Sequence, residues 1–201
     1  MVMEKGGWAY GQAGLDLVTY PRWIAGRYYG PTAVITQTTT NTHEQMFAVP
    51  IYVPGPNGGA VDELGLELFL TGTTDGLFRV GIYDDFEGAP CDLIVDAGTI
   101  STAVAGWQHV DVALRLRGWA WLAAAFDDYT TPPTYRASYT GPYSILGHAR
   151  PESTTVVAGY SVDGSRAVVQ AGLPARFPLN IATLNTPGVE YYLPNLMLRA
   201  A

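Results

Sequence analysis

Three stretches of the chain alternate apolar and polar residues with a period of two, and a chain patterned in this way buries one side of each stretch as a β-strand. In "VDELGLELFL", Leu64, Leu66, Leu68 and Leu70 fall on one face and Glu63, Gly65, Glu67 and Phe69 on the other. "LFRVGIYD" places Phe78, Val80 and Ile82 together, and "HVDVALRL" sets Val110, Val112, Leu114 and Leu116 against His109, Asp111, Ala113 and Arg115. Asp75-Gly76 lies between the first two stretches and supplies the positive φ angles of a tight hairpin, so these two strands are expected to be antiparallel neighbours. "WAWLAAAF" is ambiguous, because its alanines favour helix while Trp119 and Trp121, two apart, favour a strand. Its length and the preceding Gly118 decide for a strand, with both tryptophans in the core.

Further strand candidates are "AVITQT", "MFAVPIYV", "LIVDAGTI", "TYRASY", "TVVAGYS", "RAVVQAG" and "YYLPNLML". Pro50 and Pro194 interrupt two of them, which predicts edge strands or bulges there. About ten short strands separated by turn clusters describe an all-β protein, an antiparallel β-sandwich with jelly-roll-like connections. The 201 residues suffice for one such domain, burying roughly 70% of the unfolded surface without a covalent staple. Cys91 is the single cysteine, which rules out an internal disulfide and a cysteine-based zinc site and reads as a small, partly buried hydrophobe. Residues 1–30 differ from the rest. They are rich in glycine and aromatics and lack alternation, so the chain divides into an N-terminal extended arm, 1–30, and a sandwich, 31–201.

Charge narrows the partners. A net charge of -7 opposes nucleic-acid binding, which depends on Lys and Arg displacing counterions. No apolar run suggests a membrane span, and Met1 to Gly14 lacks the apolar centre of a secretory signal. Charged residues make up only 14% of the chain against 48% hydrophobic, which suits a surface partly covered by neighbouring subunits.

Asp84, Asp85 and Glu87, with Asp92 and Asp96, could gather around Ca²⁺, but they fit no EF-hand spacing and read more simply as a solvated turn. His43, His109 and His148 lie far apart without ligand-spaced partners, so no metal and no cofactor is expected. Nucleophile elbows and phosphate loops are absent. A carboxylate pair for glycoside hydrolysis stays open, since any fold can bring two acids together, but no catalytic residue is assigned. Aromatics in loops can stack on sugar rings while neighbouring acids take their hydroxyls. Trp107, Tyr129, Tyr135 and Tyr143 fall in or beside expected loops. With Asp84 and Asp85 as acceptors they form the expected carbohydrate site, for a neutral or cationic glycan.

The stretch from Tyr28 to Phe126 resembles a domain common in tailed-phage virion proteins, found in tail fibres, head fibres and minor tail proteins. The pieces that carry the likeness are "RYYGP", "MFAVPIYVP", "RVGIYDDFEGAPCDLIVDAGTIS" and "LRLRGWAWLAAAF". The resemblance implies a jelly-roll-like sandwich on a particle surface, often linked with attachment to host glycans, and no enzymatic activity. The primary expectation is therefore a virion structural protein, a fibre, spike or decoration subunit, with copies of itself and other virion proteins as partners. A free carbohydrate-binding module or lectin is the alternative, and a glycosidase the third. Trp8, Tyr10, Tyr20, Trp23, Tyr28 and Tyr29 are the expected assembly contacts, because an aromatic arm with little core of its own gains burial on a neighbour.

Overall fold

The computed structural model describes residues 23–30, 37–40, 44–55, 57–71, 76–127, 130–138, 159–164, 166–185 and 193–201. In chain order the elements are β1 (Tyr28–Tyr29), β2 (Gln37–Thr40), β3 (Gln45–Val53), β4 (Gly59–Leu70), β5 (Leu77–Phe86), β6 (Ala89–Ser101), β7 (Gly106–Leu116), β8 (Gly118–Phe126), β9 (Thr134–Ser138), β10 (Gly159–Asp163), α1 (Arg166–Ala171), β11 (Thr183–Asn185), β12 (Leu193–Pro194) and β13 (Met197–Ala200). They form two antiparallel sheets packed face to face, the all-β sandwich that the alternation demands. A six-stranded sheet runs β11-β10-β3-β8-β5-β6, and a seven-stranded sheet is organised around β4. One edge of β4 carries β7, and the other carries β13 and then β9 in line.

The core between the sheets is built from the expected inward residues, among them Leu64, Leu66, Leu68, Phe78, Val80, Ile82 and Leu116, with Val110, Val112 and Leu114 packed at its margin. Leu70, expected with them, is exposed at the end of its strand. β4 and β5 are not neighbours in one sheet. Each turns its apolar face toward the other across the core, β4 pairing with β7, β13 and β9, and β5 with β6 and β8. An Asp-Gly signal announces a reversal without saying whether the chain stays in its sheet. Asp75 itself lies outside the described residues.

β8 resolves the ambiguity of "WAWLAAAF". It is central in its sheet and buried on both faces: Ala120, Leu122, Ala124 and Phe126 face the core, while Trp121, Ala123 and Ala125 face a second apolar cluster on the outer side. That cluster is closed by Val169, Leu173 and Phe177, so residues 166–182 form a third layer over the six-stranded sheet. The small alanines let this layer approach. "RAVVQAG", expected as a strand, is instead the short helix α1, whose Val169 is the buried side of the turn. The layer is strapped down by polar contacts: Arg79 pairs with Asp96 at 2.7 Å and donates to the Val169 carbonyl, the Leu173 amide donates to Asp96, and the Tyr83 hydroxyl donates to the Pro174 carbonyl at 2.9 Å. Trp119 departs from expectation. It lies one strand period beyond the covered zone, exposed beside Tyr52, with ring centroids 5.2 Å apart.

"DDFEGAP" closes more tightly than a loop. Phe86 pairs with Ala89 across Glu87 (φ 54°) and Gly88 (φ 82°), a two-residue turn with both central residues left-handed. The β5–β6 register shifts between Ile82 and Tyr83, so Val95 packs at the margin of the core while Leu93 joins the outer cluster. Pro50 sits where β10 no longer accompanies β3, and Pro194 lies in β12 at the end of its sheet, so both prolines stand where no ladder donor is lost.

Two outcomes check this layering. Ala123→Leu overfills the seat of the third layer and should lower the unfolding free energy by about 1–3 kcal/mol in urea melts, whereas an unchanged midpoint would contradict a covered face. Burial, followed by the charge of Asp96, pushes the Tyr83 phenol well above its ordinary value. The neutral form is therefore favoured in the folded state, its contribution is complete below about pH 10, and it is lost as pH rises further. The stability difference between the wild-type chain and Tyr83→Phe should accordingly narrow in melts run above that pH.

Candidate functional site

The outward side chains of the seven-stranded sheet are polar and aromatic where the inward ones are aliphatic. β4 contributes Glu63, Gly65 and Glu67, and β7 contributes Trp107, His109 and Asp111. Met197 and Arg199 come from β13, Tyr28 from β1 and Arg136 from β9. Glu63 is the buried centre of this face, its side chain 6% exposed. Its Oε2 accepts from the Tyr28 hydroxyl at 2.9 Å and from the Trp107 indole nitrogen at 3.2 Å, and its Oε1 meets the Arg199 guanidinium. Arg199 also grips Asp62 through two hydrogen bonds of 2.9 Å. Those bonds hold the Asp62 carboxyl below the usual carboxylate range and push the guanidinium up. Desolvation first, then donation to Glu63, raises the Tyr28 phenol. The result is a fixed, charge-paired platform. Tyr28 meets Trp107 edge to face at 4.9 Å, and Trp107 lies parallel to His109 at 6.2 Å.

Beside the platform is a cavity of about 340 Å³ lined by Tyr28, Glu67, Trp107, Asn195 and Met197. Gly65 keeps the sheet bare between Glu63 and Glu67, since a Cβ there would run into the backbone of Gln108 and His109. Asn195 sits where the chain passes from β12 to β13, its backbone N–H donating to the Arg136 carbonyl at 3.0 Å. Glu67 accepts from Arg136 at 3.0 Å, and that guanidinium lies 5.4 Å from the centre of the Phe69 ring. With the polar edges of Tyr28 and Trp107 turned to Glu63, the rings offer the cavity carbon, while Glu67 supplies carboxylate oxygen.

Of the expected carbohydrate residues that are described, Trp107 alone reaches this face, and it does so from strand β7 rather than from a loop. Tyr135 is in β9, 1% exposed and stacked on Phe126 at 4.9 Å, so no sugar reaches it. Its strand begins at Thr134, as the candidate "TYRASY" does, and Tyr135 is on the side that faces the core. Asp84 and Asp85 belong to the other sheet. Asp84 is exposed and caps the Asp85 amide, and Asp85 accepts from the Trp121 indole at 2.8 Å and from the Gly88 amide, which assigns it to the hairpin. Tyr129 and Tyr143 lie outside the described residues, as do Trp8, Tyr10 and Tyr20. The remaining expected assembly contacts engage their own domain. Trp23 stacks on Tyr29 at 4.4 Å and donates to the Ala60 carbonyl, and Tyr28–Tyr29 pairs with β13, so the sheet begins inside the segment read as an arm. Glu63, Glu67, Asn195, Met197 and Arg199 were not singled out by sequence reasoning, and Tyr28 was singled out only as an assembly contact. The outward face of "VDELGLELFL" was the available signal for the two glutamates.

His109 does acquire acidic neighbours, Glu63 at 3.9 Å and Asp111 at 3.8 Å, and among the described residues these three could bring one ligand atom each within 4.8 Å. The donor set does not suit a cation. Glu63 already accepts from Tyr28 and Trp107 and lies against the Arg199 guanidinium, which competes with any cation for the same carboxylate.

No family model matches the chain, and no curated protein matches it in sequence. Among solved structures, the clostridial cysteine protease Cwp84 after propeptide cleavage matches 87% of this chain and 40% of its own, with a TM-score of 0.50 and 10% identity. A structure of the cysteine protease and lectin-like domains of Cwp84, a surface-layer-associated protein of Clostridium difficile, gives a TM-score of 0.49 at 10% identity over 87% of this chain and 36% of its own. The chain thus spans well under half of either neighbour, and the likeness is one of fold.

The platform makes a direct prediction. Glu63→Ala strands the Tyr28 hydroxyl, the Trp107 indole and one side of Arg199, and should cost about 2–3 kcal/mol of stability. In NMR spectra the Trp107 indole proton should move upfield as it loses its acceptor. An unmoved indole resonance would contradict the assigned bond.

Proposed function

We propose that this chain is a non-enzymatic, glycan-binding structural protein of a virion surface, a fibre, spike or decoration subunit that contacts the host through the outer face of its seven-stranded sheet. The observation that carries the binding part is the cavity beside Trp107: an aromatic wall for the C–H side of a sugar and a carboxylate for its hydroxyls, on a rigid sheet. Its size falls at the lower end of ligand sites, roughly 300–1,000 Å³, which suits one or two sugar rings.

Catalysis receives no support from the same residues. A glycosidase needs one carboxyl kept protonated by apolar surroundings. Here Asp62, Glu63 and Glu67 each meet a guanidinium. The virion setting rests on the sequence resemblance and on the sparsely charged composition. A free carbohydrate-binding module is the second reading, favoured by one observation: Trp23 and Tyr29 pack on their own sheet and so are not offered to a neighbouring subunit.

Binding of the purified chain to host cells tests the proposal. Trp107→Ala should weaken it at least ten-fold while circular dichroism shows the sandwich still folded, and immunogold labelling should place the chain on the intact particle. Undiminished cell binding by the variant would remove the sheet face from the account. Binding without particle labelling would favour the free module.

A further inference from the structure

Tyr28 and Trp107 do not form a flat platform. Their rings are inclined at 71° with centroids 4.9 Å apart, so the cavity they line together with Met197 and Glu67 has an aromatic corner for a wall. Both rings give their polar hydrogens to Glu63, which fixes them in place, and Tyr28 is still 41% exposed. One flat face suits the C–H side of a sugar ring, whereas two inclined faces suit a compact positive group, which gains from every π-face within about 6 Å.

Glu67 adds an anionic acceptor to that corner. Its side chain is 46% exposed, Arg136 bonds its Oε2 at 3.0 Å, and no described residue bonds its other oxygen. Glu63 differs, being buried and already shared by Tyr28, Trp107 and Arg199. The surrounding field has the same sign as Glu67: the outer face gathers Asp62, Glu63, Glu67 and Asp111 about the two guanidinium groups of Arg136 and Arg199, and both of these are paired. A sialylated or phosphorylated sugar would enter a field of its own sign. A hydroxyl gains one hydrogen bond to the Glu67 carboxylate, while an ammonium gains the carboxylate, the rings and the field together.

We infer that the cavity selects a sugar bearing a primary ammonium group, an unacetylated amino sugar, with the ammonium in the Tyr28–Trp107 corner donating to the Glu67 carboxylate. This rests on the glycan-binding reading of the same face and adds to it the charge of the ligand and the residue that reads that charge. A primary ammonium is favoured over a quaternary one because only the former has N–H groups to give to Glu67. The cavity, at about 340 Å³, is larger than an ammonium alone and leaves room for the ring that carries it.

The full chain is titrated by calorimetry with short oligosaccharides of glucosamine, N-acetylglucosamine and glucose in one linkage, which place an ammonium, an acetamide and a hydroxyl at the same position. The inference expects the ammonium form to bind about ten-fold more tightly than either of the others, with Trp107→Ala abolishing the advantage and choline competing only weakly. Glu67→Gln keeps the side chain's shape and should bring the three ligands within about two-fold of one another. The comparison of ligands on the wild-type chain and on Trp107→Ala decides the matter even if the Glu67 variant does not fold. An ammonium advantage that survives either substitution would reflect only the attraction of a cation to an acidic protein and would overturn the inference, as would choline competing as well as glucosamine. Trp107-dependent binding that is equal for the three sugars would overturn the inference and leave the glycan-binding reading standing. Absence of any Trp107-dependent saccharide binding would remove both.

Discussion

Arg199 holds two consecutive carboxylates, Asp62 and Glu63, and consecutive residues of a regular strand point to opposite faces. One guanidinium can grip both only because β4 is irregular at that point: its register against β7 shifts between Val61 and Glu63, and its register against β13 shifts opposite Arg199 and Ala200. The same irregularity lets Val61 and Leu64, three residues apart, both enter the core. From Leu64 onward the two-residue period is strict, so Leu64, Leu66 and Leu68 face inward while Glu63, Gly65 and Glu67 face outward. A slip of one residue would exchange the aliphatic and acidic faces. The Arg199 clamp therefore supports the core and the candidate site through a single register.

The two sheets use their outer faces differently. Over the six-stranded sheet, residues 166–182 cover Met46, Ala48, Trp121, Ala123 and Ala125, and Asp96 ties that cover to Arg79 and Leu173. The outer face of the seven-stranded sheet is where aromatic rings, paired charges and a cavity remain accessible. A ligand face on rigid strands, with its tryptophan fixed by a buried carboxylate, needs little ordering when it binds, and the cost of association falls accordingly.

Much of the sandwich was legible because strand periodicity is local. The inward residues of β4, β5 and β7 follow from their own alternation, and β8 could be recognised as a strand before its second buried face was known. What was not legible depends on distance along the chain or on neighbouring layers. Nothing local to β4 and β5 says that they face each other across the core instead of pairing, and the six residues of α1 read as a strand until Val169 has an alanine face to rest on. The site shows the same limit. Trp107 was found from its residue type, but Glu63 draws in Tyr28 from 35 residues away and Trp107 from 44, and Asp62 meets Arg199 across 137. Tyr135 was misplaced for the complementary reason: an aromatic after a Pro-rich turn looks like a loop residue, and only the pairing of β9 with β4 and β2 shows that its ring belongs to the core.

Backbone amide shifts of the isotopically labelled chain, recorded during titration with glycans released from the host surface, test the central claim most directly. The account predicts perturbations confined to Glu63–Glu67, Gly106–Asp111, Asn195–Arg199 and the Tyr28 segment. Shifts centred instead on the Asp84–Ala89 hairpin, or on residues 166–182 over the other sheet, would contradict it.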